Sequence, residues 1–170
     1  MKHVGRLWLL VTALVTLASA VALQAAAGPP NHANRIEATF DETTVSVTNR
    51  IADLGIFQLI NTGTGTVAGL GDATATVSVT QDRTVHPCGA GSWTNAGIRR
   101  IVLDGGVLVV RELVQICQTD SGPIGTGTWE VDGDSSTGMF ADARGYGDTR
   151  IVVATHTSTL SGSLNLAEGS

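Results

Sequence analysis

From Ile36 onward, apolar and polar residues alternate in short runs, and Gly, Asp, Asn and Ser interrupt the runs every few residues. A period of two is the signature of strands with one buried face, and the interruptions supply turns. The pattern predicts eight to eleven strands, drawn from residues 36–40, 43–48, 55–61, 64–70, 73–80, 97–103, 106–117, 125–131, 138–146, 149–157 and 159–166, and no amphipathic helix. Many short strands joined by tight turns fold as an all-β antiparallel domain. A closed barrel of about eight strands is expected here, with a β-sandwich as the alternative.

The sharpest local prediction is a hairpin. Residues 97–103 and 106–117 flank Asp104-Gly105, a pair suited to a two-residue type I′ turn. Such a turn sets Leu103 opposite Gly106 and Ile101 opposite Leu108, and makes Arg99 a diagonal neighbour of Glu112. One face then carries Trp93, Asn95, Arg99 and Ile101 with Leu108, Val110, Glu112, Val114 and Ile116. The other carries Arg100 and Arg111 and no acid. An unpaired buried charge costs far more than a paired one, so the Arg99/Glu112 face is expected inside and the other two arginines in solvent. Inside a barrel the pair has two readings. It is a structural plug, or it is the polar end of a ligand cavity, with Glu112 as base or acceptor and Arg99 as an anion clamp, the candidate catalytic residues.

Upstream, Lys2 and Arg6 precede an uncharged apolar run over 7–23, and Ala25-Ala26-Ala27 supplies the small residues of a cleavage site. This predicts a signal peptide over 1–27, a mobile lead-in over 28–35 and a single β-barrel domain over 36–170. The run falls short of the roughly 20 residues that a spanning helix needs. Secretion is therefore the expected address, and an uncleaved anchor holding the protein at the cell envelope is the alternative. No later apolar stretch exceeds a strand's length, so no membrane span is expected after cleavage. Export also favours a disulfide between Cys88 and Cys117, the only cysteines. The hairpin register agrees, because it sets Cys117 opposite Ser92, close in sequence to Cys88. Of 10 basic residues against 15 acidic, Lys2 and Arg6 lie in the leader, and no lysine follows it. That balance makes nucleic acid an unexpected partner.

Two motifs resemble chemistry but lack its context. Gly63-Thr64-Gly65-Thr66-Val67-Ala68 fits a loose dinucleotide pattern, yet Thr/Val alternation follows where the phosphate-binding helix is required. Gly133-Asp134-Ser135 lies in a predicted turn without a nucleophile elbow. The histidines are scattered without metal-ligand spacing, so no metal and no nucleotide or other cofactor is expected.

The segment Thr137-Gly138-Met139-Phe140-Ala141-Asp142-Ala143-Arg144-Gly145-Tyr146-Gly147 resembles the G-G-T-G-x-F-x-x-A-R-G-Y stretch of dirigent proteins and, more loosely, its counterpart in allene oxide cyclases. Ser135 and Ser136 stand where those families have paired glycines. The resemblance implies an eight-stranded antiparallel barrel, frequently trimeric, with an apolar cavity at one mouth that steers an unstable intermediate. Trp93, Trp129, Phe140, Asp142, Arg144 and Tyr146 are the candidate ligand-binding residues, and an unbroken strand would send Phe140, Asp142 and Arg144 to one face. The functions to be weighed are a secreted barrel binding a small apolar ligand or serving as a non-catalytic extracellular module, a cyclase or isomerase of the allene oxide cyclase or dirigent type, and a cell-surface interaction protein.

Overall fold

The computed structural model describes residues 34–51 and 54–167. The expected signal peptide and residues 28–33 of the lead-in lie outside these. Asn34 and Arg35, expected in the lead-in, instead open the first strand, pairing with Leu164 and Ser163.

Nine antiparallel strands follow: β1 (Asn34–Ile51), β2 (Ile56–Val67), β3 (Gly71–Asp82), β4 (Trp93–Leu103), β5 (Gly106–Thr119), β6 (Gly122–Val131), β7 (Thr137–Gly138), β8 (Arg144–Val152) and β9 (Thr157–Asn165). Strands β1 to β6, β8 and β9 form a meander in which each pairs with the one before. The pairing of β1 with β9, centred on Ala38 and Leu160, closes it. The two-residue β7 lies against the start of β5. The molecule is thus a closed eight-stranded antiparallel β-barrel with one extra strand, not a sandwich.

The hairpin register holds throughout, with Leu103 opposite Gly106, Ile101 opposite Leu108 and Cys117 beyond Ile116, which faces Trp93. The turn differs from expectation. Gly105 has a φ of 96° while Asp104 stays out of the left-handed region, so the connection is not type I′. Several predicted strands are fused: 36–40 and 43–48 are both β1, and 55–61 and 64–70 are both β2, because Asp41-Glu42 and Thr62-Gly63 continue the pairing instead of turning. The predicted strand 138–146 is broken. Three successive short-range backbone hydrogen bonds, from Phe140, Ala141 and Ala143 to the residue three before each, coil the chain, and Asp142 takes a left-handed φ of 58°. The unbroken strand that would have put Phe140, Asp142 and Arg144 on one face does not form.

Alternation then sorts the side chains. Ile36, Ala38 and Phe40 on β1, Ile101 and Leu103 on β4, Leu108 and Val110 on β5, and Leu160 and Leu164 on β9 point inward and are buried. They pack with Trp129 and Phe140 into one core at one end of the barrel. Small neighbours make this possible. A Cβ on Gly162 would stand 2.7 Å from the Trp129 ring, so glycine there clears the space the indole occupies. The segment between β6 and β8 folds over the outside of this end, and Ser136 Oγ accepts from the Val109 amide at 3.0 Å.

Candidate functional site

The inward alternation of β1 does not stop at Phe40. Its next member is Glu42, and the corresponding next members of β4, β5 and β9 are Arg99, Glu112 and Ser158. These four side chains form one polar layer across the bore. Arg99 is 1% exposed, Glu112 6% and Glu42 8%. Arg99 Nε donates to Glu112 Oε1 at 2.7 Å and Nη2 to Oε2 at 3.3 Å, a two-pronged pair. Its remaining prong, Nη1, donates to Glu42 Oε1. Ser158 Oγ donates to the same oxygen at 2.8 Å. From the packed side, the guanidinium carbon stands 5.4 Å over the Phe40 ring centroid, an added cation–π contact. Gly63 makes room for the second acid, since a Cβ there would meet Glu42 Cγ at 2.8 Å.

Burial opposes the charge on Arg99, but the attraction of Glu112, and then of Glu42, outweighs it and holds the guanidinium even more firmly protonated than usual. With two carboxylates to one guanidinium the layer is formally negative. The pairing of Arg99 with Glu112 was legible in the hairpin. Glu42, which comes from β1 in the opposite wall, was not, although the run Ile36-x-Ala38-x-Phe40-x-Glu42 carries the signal.

Beyond this layer the barrel is hollow. A cavity of about 290 Å³ runs from Arg99, Glu42 and Glu112 to the mouth. Leu59, Val77, Val79, Val114, Ile116 and Ile151 supply its apolar wall. Toward the rim, Arg83 lies between the rings of Phe57 and Trp93, 5.2 and 5.3 Å from their centroids, and its Nε donates to Gln81 Oε1 at 2.9 Å. The expected disulfide joins Cys88 and Cys117, with Cα atoms 5.6 Å apart, and ties the loop before β4 to the far end of β5. That loop is braced internally by the His86 ring against Ser92 O at 2.8 Å and by the Cys88 amide donating to Ser92 Oγ at 3.1 Å.

The expected site residues are therefore divided. Arg99, Glu112 and Trp93 line the cavity. Trp129 and Phe140 belong to the packed end, 2% and 0% exposed. The Trp129 indole N–H is shared between the Asp148 and Ser161 carbonyls at 3.1 and 3.2 Å. Asp142, Arg144 and Tyr146 are corrected to the outer surface, with Tyr146 73% exposed, because the coiled turn at Asp142 changes the parity of all that follows. They border a shallow depression there with Arg111 and Asp132, away from the cavity. The anion-clamp role for Arg99 does not fit either, since its donors already face two carboxylates.

Among the described residues no group of His, Cys, Asp and Glu could hold a metal ion, and no helix is long and apolar enough to cross a membrane. Fold and site together define a β-barrel closed by packing at one end and open at the other onto an apolar cavity with a charged floor. Compared with protein-family models, with curated proteins and with solved structures, the chain matches none of them.

Proposed function

We propose that this is an exported barrel that holds a small, mainly apolar molecule in the hollow half of its bore without turning it over. The observation that carries the reading is the apolar-walled cavity of about 290 Å³ above the Arg99 layer. Water occupies about 30 Å³ per molecule in the liquid, so this space suits a guest of roughly ten non-hydrogen atoms. The basic, apolar and small-residue leader and the disulfide support an extracellular address. Binding is preferred over a cyclase-type reaction because both Glu112 oxygens accept from Arg99, which leaves that carboxylate poorly placed to take a proton from a substrate.

Gly97 gives the test. It lines the cavity, and a Cβ there would make ordinary contacts, 3.6 Å to Val77 Cγ1 and Val79 Cγ2. Gly97→Leu extends from that position into the bore. Native mass spectrometry of the protein from its own culture medium is expected to show a small retained guest on the wild type and none on Gly97→Leu, with circular dichroism unchanged. A wild type that carries no guest and takes up no small apolar probe defeats the reading.

A further inference from the structure

The two acids of the polar layer are not equally occupied. Arg99 donates from Nε and Nη2 to both oxygens of Glu112, but only from Nη1 to Glu42, whose Oε1 also accepts from Ser158 Oγ. The second oxygen of Glu42, Oε2, has no hydrogen-bond partner among the described residues. Unlike Trp93 Nε1 and Asn95 Oδ1, which are also unpartnered, it is not closed off from solvent. The Glu42 side chain keeps 9% of its surface open, against 4% for Glu112 and 1% for Arg99, and it lines the cavity. One guanidinium balances only one of the two carboxylates, so the open oxygen turns the surplus negative charge of the layer toward the bore. A nearly buried carboxylate oxygen without a donor is costly, and a guest that brings one is rewarded there.

We propose that Glu42 Oε2 is a head-group site at the base of the cavity, and that it selects a guest carrying an ammonium on an apolar body over neutral and anionic guests of the same shape. This rests on the cavity reading above and adds the chemistry of the guest. An ammonium brings donors and a full positive charge, which are the two things the open oxygen lacks. A hydroxyl donates to that oxygen without balancing its charge. A carboxylate has no proton to donate and would set another negative charge against the layer. The apolar wall around the base widens these differences, because charges interact more strongly where water is scarce. Arg99 does not reverse them, since its donors already face the two acids. Arg83 and His156, the other basic side chains that line the cavity, are both exposed to water, which screens them.

Four guests with one aliphatic body separate these cases: cyclohexylmethylammonium, cyclohexylmethanol, methylcyclohexane and cyclohexanecarboxylate, each titrated into the full chain and followed by NMR. The ammonium is expected to bind tightest and the carboxylate weakest. Glu42→Gln keeps the shape of the side chain and an acceptor for Arg99 and Ser158, and it sets an N–H where Oε2 stood. A hydrogen bond to a charged group is worth roughly 10- to 100-fold in affinity, so this variant is expected to lower ammonium affinity by about that factor, to raise carboxylate affinity and to leave methylcyclohexane little changed. Gly97→Leu, which fills the bore, is expected to remove binding of all four and so separates the cavity from acidic sites on the outer surface. A wild type that binds the alcohol or the carboxylate as tightly as the ammonium, a Glu42→Gln protein that keeps its ammonium affinity, or ammonium binding that survives Gly97→Leu overturns the head-group inference. Methylcyclohexane binding that Gly97→Leu abolishes then leaves the cavity reading standing. Binding of none overturns both. If Glu42→Gln fails to fold, the wild-type ranking and its loss in Gly97→Leu still decide.

Discussion

The two halves of the barrel are built from the same eight strands and the same alternation, yet one is solid and the other hollow. In the solid half, Phe40, Trp129 and Phe140 fill the bore, and glycines on neighbouring strands give the rings space. In the hollow half most inward positions hold medium-sized aliphatic residues and amides, and Trp93 stands at the rim, stacked with Arg83. Backbone closure therefore does not decide whether a small barrel has a pocket. The size of the inward side chains does, level by level.

Several measurements would break or sharpen that contrast. The largest expected effect lies at the boundary between the halves. Arg99→Met leaves Glu42 and Glu112 buried without their counter-charge, and a loss of about 3–5 kcal/mol in urea denaturation is expected. A loss near zero would mean that the layer is wet and does not separate the halves. Next comes the disulfide. Opening Cys88–Cys117, which are 29 residues apart in sequence, is expected to remove about 3–4 kcal/mol from the same denaturation curve. A direct comparison follows. Ile101→Ala in the packed half should cost about 2–5 kcal/mol, and Leu59→Ala on the cavity wall clearly less, because Leu59 is only half-buried there. Equal losses would argue that the hollow half collapses onto its contents in solution.

The smallest effect belongs to the outer wall. Arg111 hydrogen-bonds Asp132 at 2.7 Å and holds that carboxyl below the usual carboxylate range. A depressed folded-state pKa contributes stability that is complete above the unfolded value, near pH 4, and is lost as pH falls through the folded one. Arg111→Ala should therefore lower stability slightly at neutral pH, leave it nearly unaltered in strong acid and so flatten the acid side of the profile, as a pH series of melting curves would show.

How much of this was readable in the chain follows from which forces are local. The 97–117 hairpin was legible because a two-residue turn fixes register and an unpaired charge fixes the inward face, so the chain alone places Arg99 and Glu112 inside. Glu42 was hidden by Asp41-Glu42, which looks like a turn but sits inside an 18-residue strand held on both edges there. The coiled segment around Asp142 was misjudged because its apolar residues keep strand spacing while its backbone bonds locally. The cavity itself was out of reach. It depends on which inward residues share a level, and strand tilt and stagger set that across walls far apart in sequence.

The ion layer has one more consequence. Because Glu42, Arg99 and Glu112 span the bore, the barrel is a cup and not a tube. A homologous series of guests gains burial with each added carbon only until the charged base is reached. Longer members must leave their excess in water, so their binding free energy levels off instead of climbing.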